Sequence, residues 1–224
     1  MNHPTEKPTL EQPPFQYTDR EGTIVGTMTN DGSDIRVNLD GWEFVGKMFD
    51  DLEPVQTAGL PVRFRLSHEQ LCDCEFEFAI PVLMNDRKHL SYVDLSVKME
   101  LGTQTERGGL DREELRVSLE YGTQKYVSSG KSGWMEDELL EIQKQLPDDV
   151  FIQACINCLY SDYSPFGCGA FGCMMCFRNL KQEYLQVKSK DDFWSVHDDF
   201  ERLVQETWLC DEFERRVPGT GYRG

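Results

Sequence analysis

The sequence predicts an α+β protein: an N-terminal antiparallel sheet of β-sandwich-like form, followed by a Cys-rich C-terminal α/β segment. Three observations carry this expectation. Apolar residues alternate with polar ones through most of the first 130 residues, the mark of strands with one wet face. After Gly130 the period changes toward that of a helix. Five of the eight cysteines then fall between Cys155 and Cys176.

Residues 1–14 hold four prolines and one large aliphatic residue, Leu10, and read as a solvated tail. The acidic β domain is expected over 15–130. Alternation is clearest at 92–101, where Val93, Leu95, Val97, Met99 and Leu101 share a face. It recurs at 112–121, with Leu115, Val117, Leu119 and Tyr121, and at 71–82, with Cys72, Cys74, Phe76, Phe78, Ile80 and Val82. Cys72 and Cys74 therefore read as small core residues. Shorter strands are expected at 23–28, 35–39, 42–49 and 62–66, separated by turn signals such as Asn30-Asp31-Gly32, Asp40-Gly41 and Gly108-Gly109. These seven strands suggest a sandwich or a strongly curled sheet.

The third segment is expected over 131–224. Met135, Leu139, Ile142 and Leu146 predict a helix over 134–146, with Glu136, Asp137 and Glu138 at its positive end and Pro147 stopping it. A strand is expected at 150–156, and 177–187 suits either state. Phe193, Val196, Phe200, Leu203, Thr207 and Trp208 predict an amphipathic helix over 191–208. The Gly-rich end, 217–224, predicts no regular structure.

Charge excludes some functions. Lys and Arg total 23 against 40 Asp and Glu, a net charge of −17. A general nucleic-acid binder or a protein drawn to anionic membrane needs the opposite sign. Residues 1–150 carry 15 basic and 29 acidic side chains, so a basic protein is the electrostatic partner to expect there. The longest clearly apolar run is six residues, 79–84, against the roughly 20 that span a bilayer. With no signal-like segment, a cytoplasmic protein is expected.

Clustered cysteines without a signal segment point to reduced thiols and a metal. Cys155-Ile-Asn-Cys158 and Cys173-Met-Met-Cys176 are two C-x-x-C pairs separated by 14 residues. Two such turns can each aim two sulfurs at one ion, and four thiolates at tetrahedral corners suit structural zinc. An iron–sulfur cluster is the alternative, because thiolates accept both. Cys168 sits in the intervening glycine loop. Cys210 follows the expected last helix, and a set of Cys155, Cys158, Cys176 and Cys210 would tie the C-terminal end back to that loop. The residues alone leave five candidate ligands: Cys155, Cys158, Cys173, Cys176 and Cys210.

The stretch Cys158-Leu-Tyr-Ser-Asp-Tyr-Ser-Pro165, then Cys176-Phe-Arg178, Glu206-Thr-Trp-Leu-Cys210 and the run from Phe213 to Gly224, resembles a bacterial family carried only as a domain of unknown function. The resemblance covers the last third and implies no activity, substrate or catalytic residue. It does imply Cys155, Cys158, Cys176 and Cys210 as the shared cysteines, with Cys168 and Cys173 as bystanders.

Catalytic signatures are missing. No H-E-x-x-H, G-x-S-x-G, G-x-x-x-x-G-K or strand-linked G-x-G-x-x-G is present. Of the four histidines, His3 lies in the tail, His68 and His89 beside expected turns, and His197 on the border of an apolar stripe, where a packed role is expected. Asp162, between Tyr160 and Tyr163, is the carboxylate nearest the cysteine loop and reads as a turn residue. Arg178, Arg215, Arg216 and Arg223 could gather there for an anion, or pair with Asp211, Glu212 and Glu214. The expectation is a non-enzymatic interaction module with structural zinc, neutralising a basic partner. The alternative is a metal- or thiol-dependent enzyme at the 155–176 loop.

Overall fold

The computed structural model describes residues 14–167 and 169–223. Of the expected tail, only Pro14 is among them, and Cys168 and His3 lie outside. The first half runs β1 (Phe15–Asp19), β2 (Gly22–Asn30), β3 (Ile35–Leu39), β4 (Trp42–Gly46), β5 (Glu53–Pro54), β6 (Arg65–Ser67), β7 (Gln70–Cys72), β8 (Cys74–Asn85), β9 (Leu90–Leu101), β10 (Glu113–Tyr121) and β11 (Gln124–Val127). Then follow α1 (Met135–Gln145), β12 (Phe151–Ile152), a 3₁₀ turn at Cys155–Asn157, β13 (Ser161–Asp162), β14 (Met174–Cys176), α2 (Lys181–Tyr184), α3 (Lys190–Phe193) and β15 (Arg202–Val204).

Alternation becomes register. Phe76 faces Met99, which faces Leu115; Phe78 faces Val97, which faces Val117; Ile80 faces Leu95, which faces Leu119. Three rows of apolar side chains thus cross β8, β9 and β10 on one face. The sheet is antiparallel and ten-stranded, in the order β11-β10-β9-β8-β1-β2-β3-β4-β5, with β12 beside the end of β8. In a flat sheet β4 would lie four strands, about 19 Å, from β8. Yet the ring of Phe49, just past β4, is centred 4.3 Å from that of Phe78. The sheet is therefore curled round its own core, and Tyr17, Phe44, Phe64 and Phe76 fill the bend.

Helix α1 lays Met135, Leu139 and Ile142 against this core. Its N-cap, Trp134, offers no side-chain acceptor. The buried Glu138 carboxylate instead collects the Gly130 amide at 2.8 Å and the Ser132 hydroxyl at 2.7 Å, joining helix to preceding turn. Burial pushes that carboxyl up, but hydrogen bonds from Ser128, Ser132 and Gly130 outweigh it and hold it low. The same core continues through Ile152 and Ile156 and takes in Phe171. Beyond it lie two smaller clusters, one around Phe177, Tyr184 and Phe193, the other around Cys155, Met174, Cys176 and Val204.

Four expected elements differ. The strand over 71–82 breaks at Asp73, whose positive φ of 54° ends β7 and lets β8 start afresh. The expected strand 62–66 shifts to β6, which pairs with β7. The strand over 150–156 is cut to two residues because the chain tightens into the 3₁₀ turn at Cys155. The largest correction is the helix over 191–208. Only its first turn, α3, forms, stopped near the weak helix formers His197, Asp198 and Asp199. The chain then reverses, and β15 pairs with β14, setting Val204 opposite Met174 and Arg202 opposite Cys176.

Candidate functional site: a thiol cluster and a docked tail

The 3₁₀ turn places Cys155 and Cys158 on one tight loop, closed by the Cys158 amide donating to the Cys155 carbonyl at 3.0 Å. The Cys155 amide reaches across to the Trp208 carbonyl at 2.8 Å, which brings the Cys210 segment alongside. β14 carries Cys176 opposite Ser161. Cys155, Cys158, Cys176 and Cys210 are free thiols from three chain segments.

Burial and neighbouring thiols act in the same sense on Cys155, Cys176 and Cys210. Burial pushes the Cys155 thiol well up, and its neighbours Cys158, Cys210 and Cys176 push it further. Burial likewise raises Cys176 and Cys210, with Cys158 adding to both. The Arg178 amide donates to the Cys176 sulfur and the Glu212 amide to the Cys210 sulfur, each two residues on, and both oppose the rise by favouring thiolate. The Arg178 guanidinium acts in the same sense on both sulfurs. Cys173 turns elsewhere, its Sγ donating to the Gly169 carbonyl at 3.0 Å. Cys72 and Cys74 are buried in the sheet body. Among the described residues, no group of three or more His, Cys, Asp or Glu side chains is placed so as to hold a metal ion.

Beside the thiols, a buried polar network docks the tail. Asp162 is 2% exposed, its Oδ2 accepting from Tyr184 Oη at 2.7 Å and from the Arg223 amide at 3.1 Å. Arg216 donates to the Ser161 carbonyl and, at 3.2 Å, to that of Thr220. Arg223 donates to the Ile156 carbonyl. Gly221, at φ +67°, lies so close to Tyr184 that a Cβ would run into the phenol oxygen. Asp162 thus ties down the C-terminal end, a larger role than a local turn. The four arginines are consumed internally: Arg178 pairs with Glu201, and Arg215 sits 4.2 Å from the Phe151 ring centre. Lys181, not an arginine, takes Glu212 and Glu214.

Sequence reading missed the neighbouring acid. Glu206 is fully buried, accepting from Tyr163 Oη at 3.0 Å and from the Gly172 amide at 2.8 Å. Burial pushes its carboxyl up to about 7, against those hydrogen bonds, with Glu136 adding to the rise. Its place between Val204 and Trp208 at a spacing of two was the available signal.

A Ser164–His197–Asp198 chain runs along the same lobe, with 3.4 Å from Ser164 Oγ to His197 Nε2 and 2.9 Å from Nδ1 to Asp198. The Asp198 side chain is 90% exposed, so water screens the carboxylate that would have to support an imidazolium. His197 is instead a packed residue, edge-on to Phe166 and Phe193.

Among the described residues no helix is long and apolar enough to cross a membrane. No curated protein and no solved structure matches this chain. The expected resemblance to a domain of unknown function is borne out, but the match is not confined to the last third and lies mostly before it. It covers the curled sheet, α1 and the Cys155–Cys158 turn, leaving Cys176 and Cys210 outside it. Over residues 13–161, about two thirds of its length, the chain matches DUF6304, a family of unknown function, and it belongs to that family.

Proposed function

We propose that the protein is a non-enzymatic, cytoplasmic interaction module whose C-terminal lobe is stapled by one structural zinc ion on Cys155, Cys158, Cys176 and Cys210. What supports this reading is the arrangement of the chain: Cys155 and Cys158 share one tight turn, the Cys155 amide bonds the Trp208 carbonyl two residues before Cys210, Cys176 sits on β14 opposite Ser161, and all four thiols are free. Amide donors to sulfur stabilise thiolate and orient it, which is what a ligand shell needs. Cys155, Cys158, Cys176 and Cys210 would hold the ion as thiolates, and it would supply a structural cross-link. Cys173, directed at Gly169, stays outside the set. A net charge of −17 supports a basic protein as the partner this body neutralises.

Elemental analysis of the purified chain tests the staple. One zinc per chain is expected, lost in Cys155→Ser, Cys158→Ser, Cys176→Ser and Cys210→Ser and kept in Cys173→Ser. A brown preparation absorbing in the visible identifies an iron–sulfur cluster instead. A metal-free chain whose melting temperature ignores all four substitutions overturns the reading.

A further inference from the structure

We propose that the exposed stack of Phe166 and Trp194 is the surface that receives the basic partner, gripping an arginine-bearing segment between ring faces and a carboxylate rim. This rests on the basic-partner reading above and assigns it a place on the molecule.

Large aromatic side chains are normally kept from water, yet Trp194 is 59% and Phe166 39% exposed. They come from separate segments, the loop after β13 and the end of α3, and stack with ring centres 4.0 Å apart. His197 stands against both rings, at 5.2 and 5.5 Å, and rests in turn near the buried Phe193. Ser189 caps α3 by accepting the Asp192 amide at 3.1 Å. The pair is therefore held from below before any partner arrives, which lowers the entropy lost on binding.

The chemistry of the rim selects the occupant. Lys190 Nζ already lies 4.7 Å from the centre of the Phe166 ring, so this stack accepts a cation on its face. The exposed Asp198, bonded to His197, supplies a carboxylate beside the rings, and Asp191 lies three residues before Trp194 on the same helical turn. Asp192 and Asp199 add negative charge to the same stretch. A planar guanidinium can stack on an aromatic face and bond a carboxylate in its plane, which a lysine ammonium cannot do. Single-stranded nucleic acid also stacks on exposed rings, but its phosphates would meet these aspartates.

Fluorescence anisotropy of the full chain with a labelled nonapeptide of alternating Arg and Gly, at low salt, provides the test. The Arg peptide is expected to bind, and to bind more tightly than its Lys counterpart. Trp194→Ala should weaken it about tenfold, the size of an aromatic anchor. Asp198→Asn should weaken it about threefold and flatten its salt dependence. Glu120→Gln, on the far sheet, should change nothing. Should Trp194→Ala lose the native melting transition, Asp198→Lys decides at a fully wet position and must abolish binding. Binding unaffected by these changes overturns the assigned surface and leaves the basic-partner reading standing. Absence of any binding by either basic peptide overturns both. Equal affinity for Arg and Lys peptides, or capture of oligothymidine lost in Trp194→Ala, overturns the guanidinium grip.

Discussion

The curled sheet and the lobe beyond Cys158 are built on opposite principles. In the sheet body, long strands place apolar rows face to face, and most core positions are filled by Phe, Leu, Ile or Val. In the lobe, strands have two or three residues and helices four, and the apolar clusters are small. Order there rests on the Asp162–Tyr184–Arg216 network and the buried Glu206, to which the proposed staple would add a clamp on the thiols. A body with enough apolar burial needs no staple, whereas a short segment lacking it needs a local clamp.

The sharpest way to break this contrast is to treat the chain with a chelator, because the proposed zinc staple would act on the lobe alone. Structural zinc contributes on the order of 10–16 kcal/mol in finger peptides at neutral pH. Chelation is expected to strip hydrogen-exchange protection from residues 158–223 while β8, β9 and β10 keep theirs. Equal loss in both regions would show that the two are not separately held. The converse experiment is Phe44→Ala, which empties a fully buried site packed edge-to-face on Phe64. About 3–5 kcal/mol should be lost, measured by urea denaturation. The sheet should melt first.

A titration sharpens the difference further. Glu206 has its carboxyl raised from the usual 4.5 to about 7, so between those values the folded chain holds a proton that the unfolded chain has released. This contribution is fully present below about pH 4.5 and disappears as pH rises through 7. Glu206→Gln can still accept from the Gly172 amide and donate to Tyr163. It is expected to be more stable than the native chain at pH 8, by on the order of 3 kcal/mol, and to lack this slope in denaturation curves. Gly221→Ala should have the smallest effect, about 1–2 kcal/mol, from positive φ and the collision with Tyr184. Proteolysis of the tail should reveal it.

What could be read in the sequence follows the same division. Strand alternation at 92–101 and 112–121 was legible because each strand has one wet face, and α1 because its apolar stripe sits between acidic and proline signals. The 191–208 segment was misread because its helical spacing serves two destinations: Phe193 and Val196 enter one cluster, Val204 another. Spacing reports that a residue will be buried, not against which neighbour. The cysteines repeat the lesson. C-x-x-C spacing marked Cys155, Cys158, Cys173 and Cys176 alike, but it does not report that the Cys173 Sγ donates to the Gly169 carbonyl or that the segment leading to Cys210 lies along the Cys155 turn.

The strand order also bears on solubility under stress. The twelve-residue strands β8 and β9 lie inside the sheet, paired on both sides. Its two margins are β5, of two residues including Pro54, and β11, of four with Lys125 exposed. Such margins offer another chain few free amides to extend, and a proline and a lysine discourage the attempt. Among the described residues, edge-to-edge extension of the native sheet is thereby disfavoured at both margins.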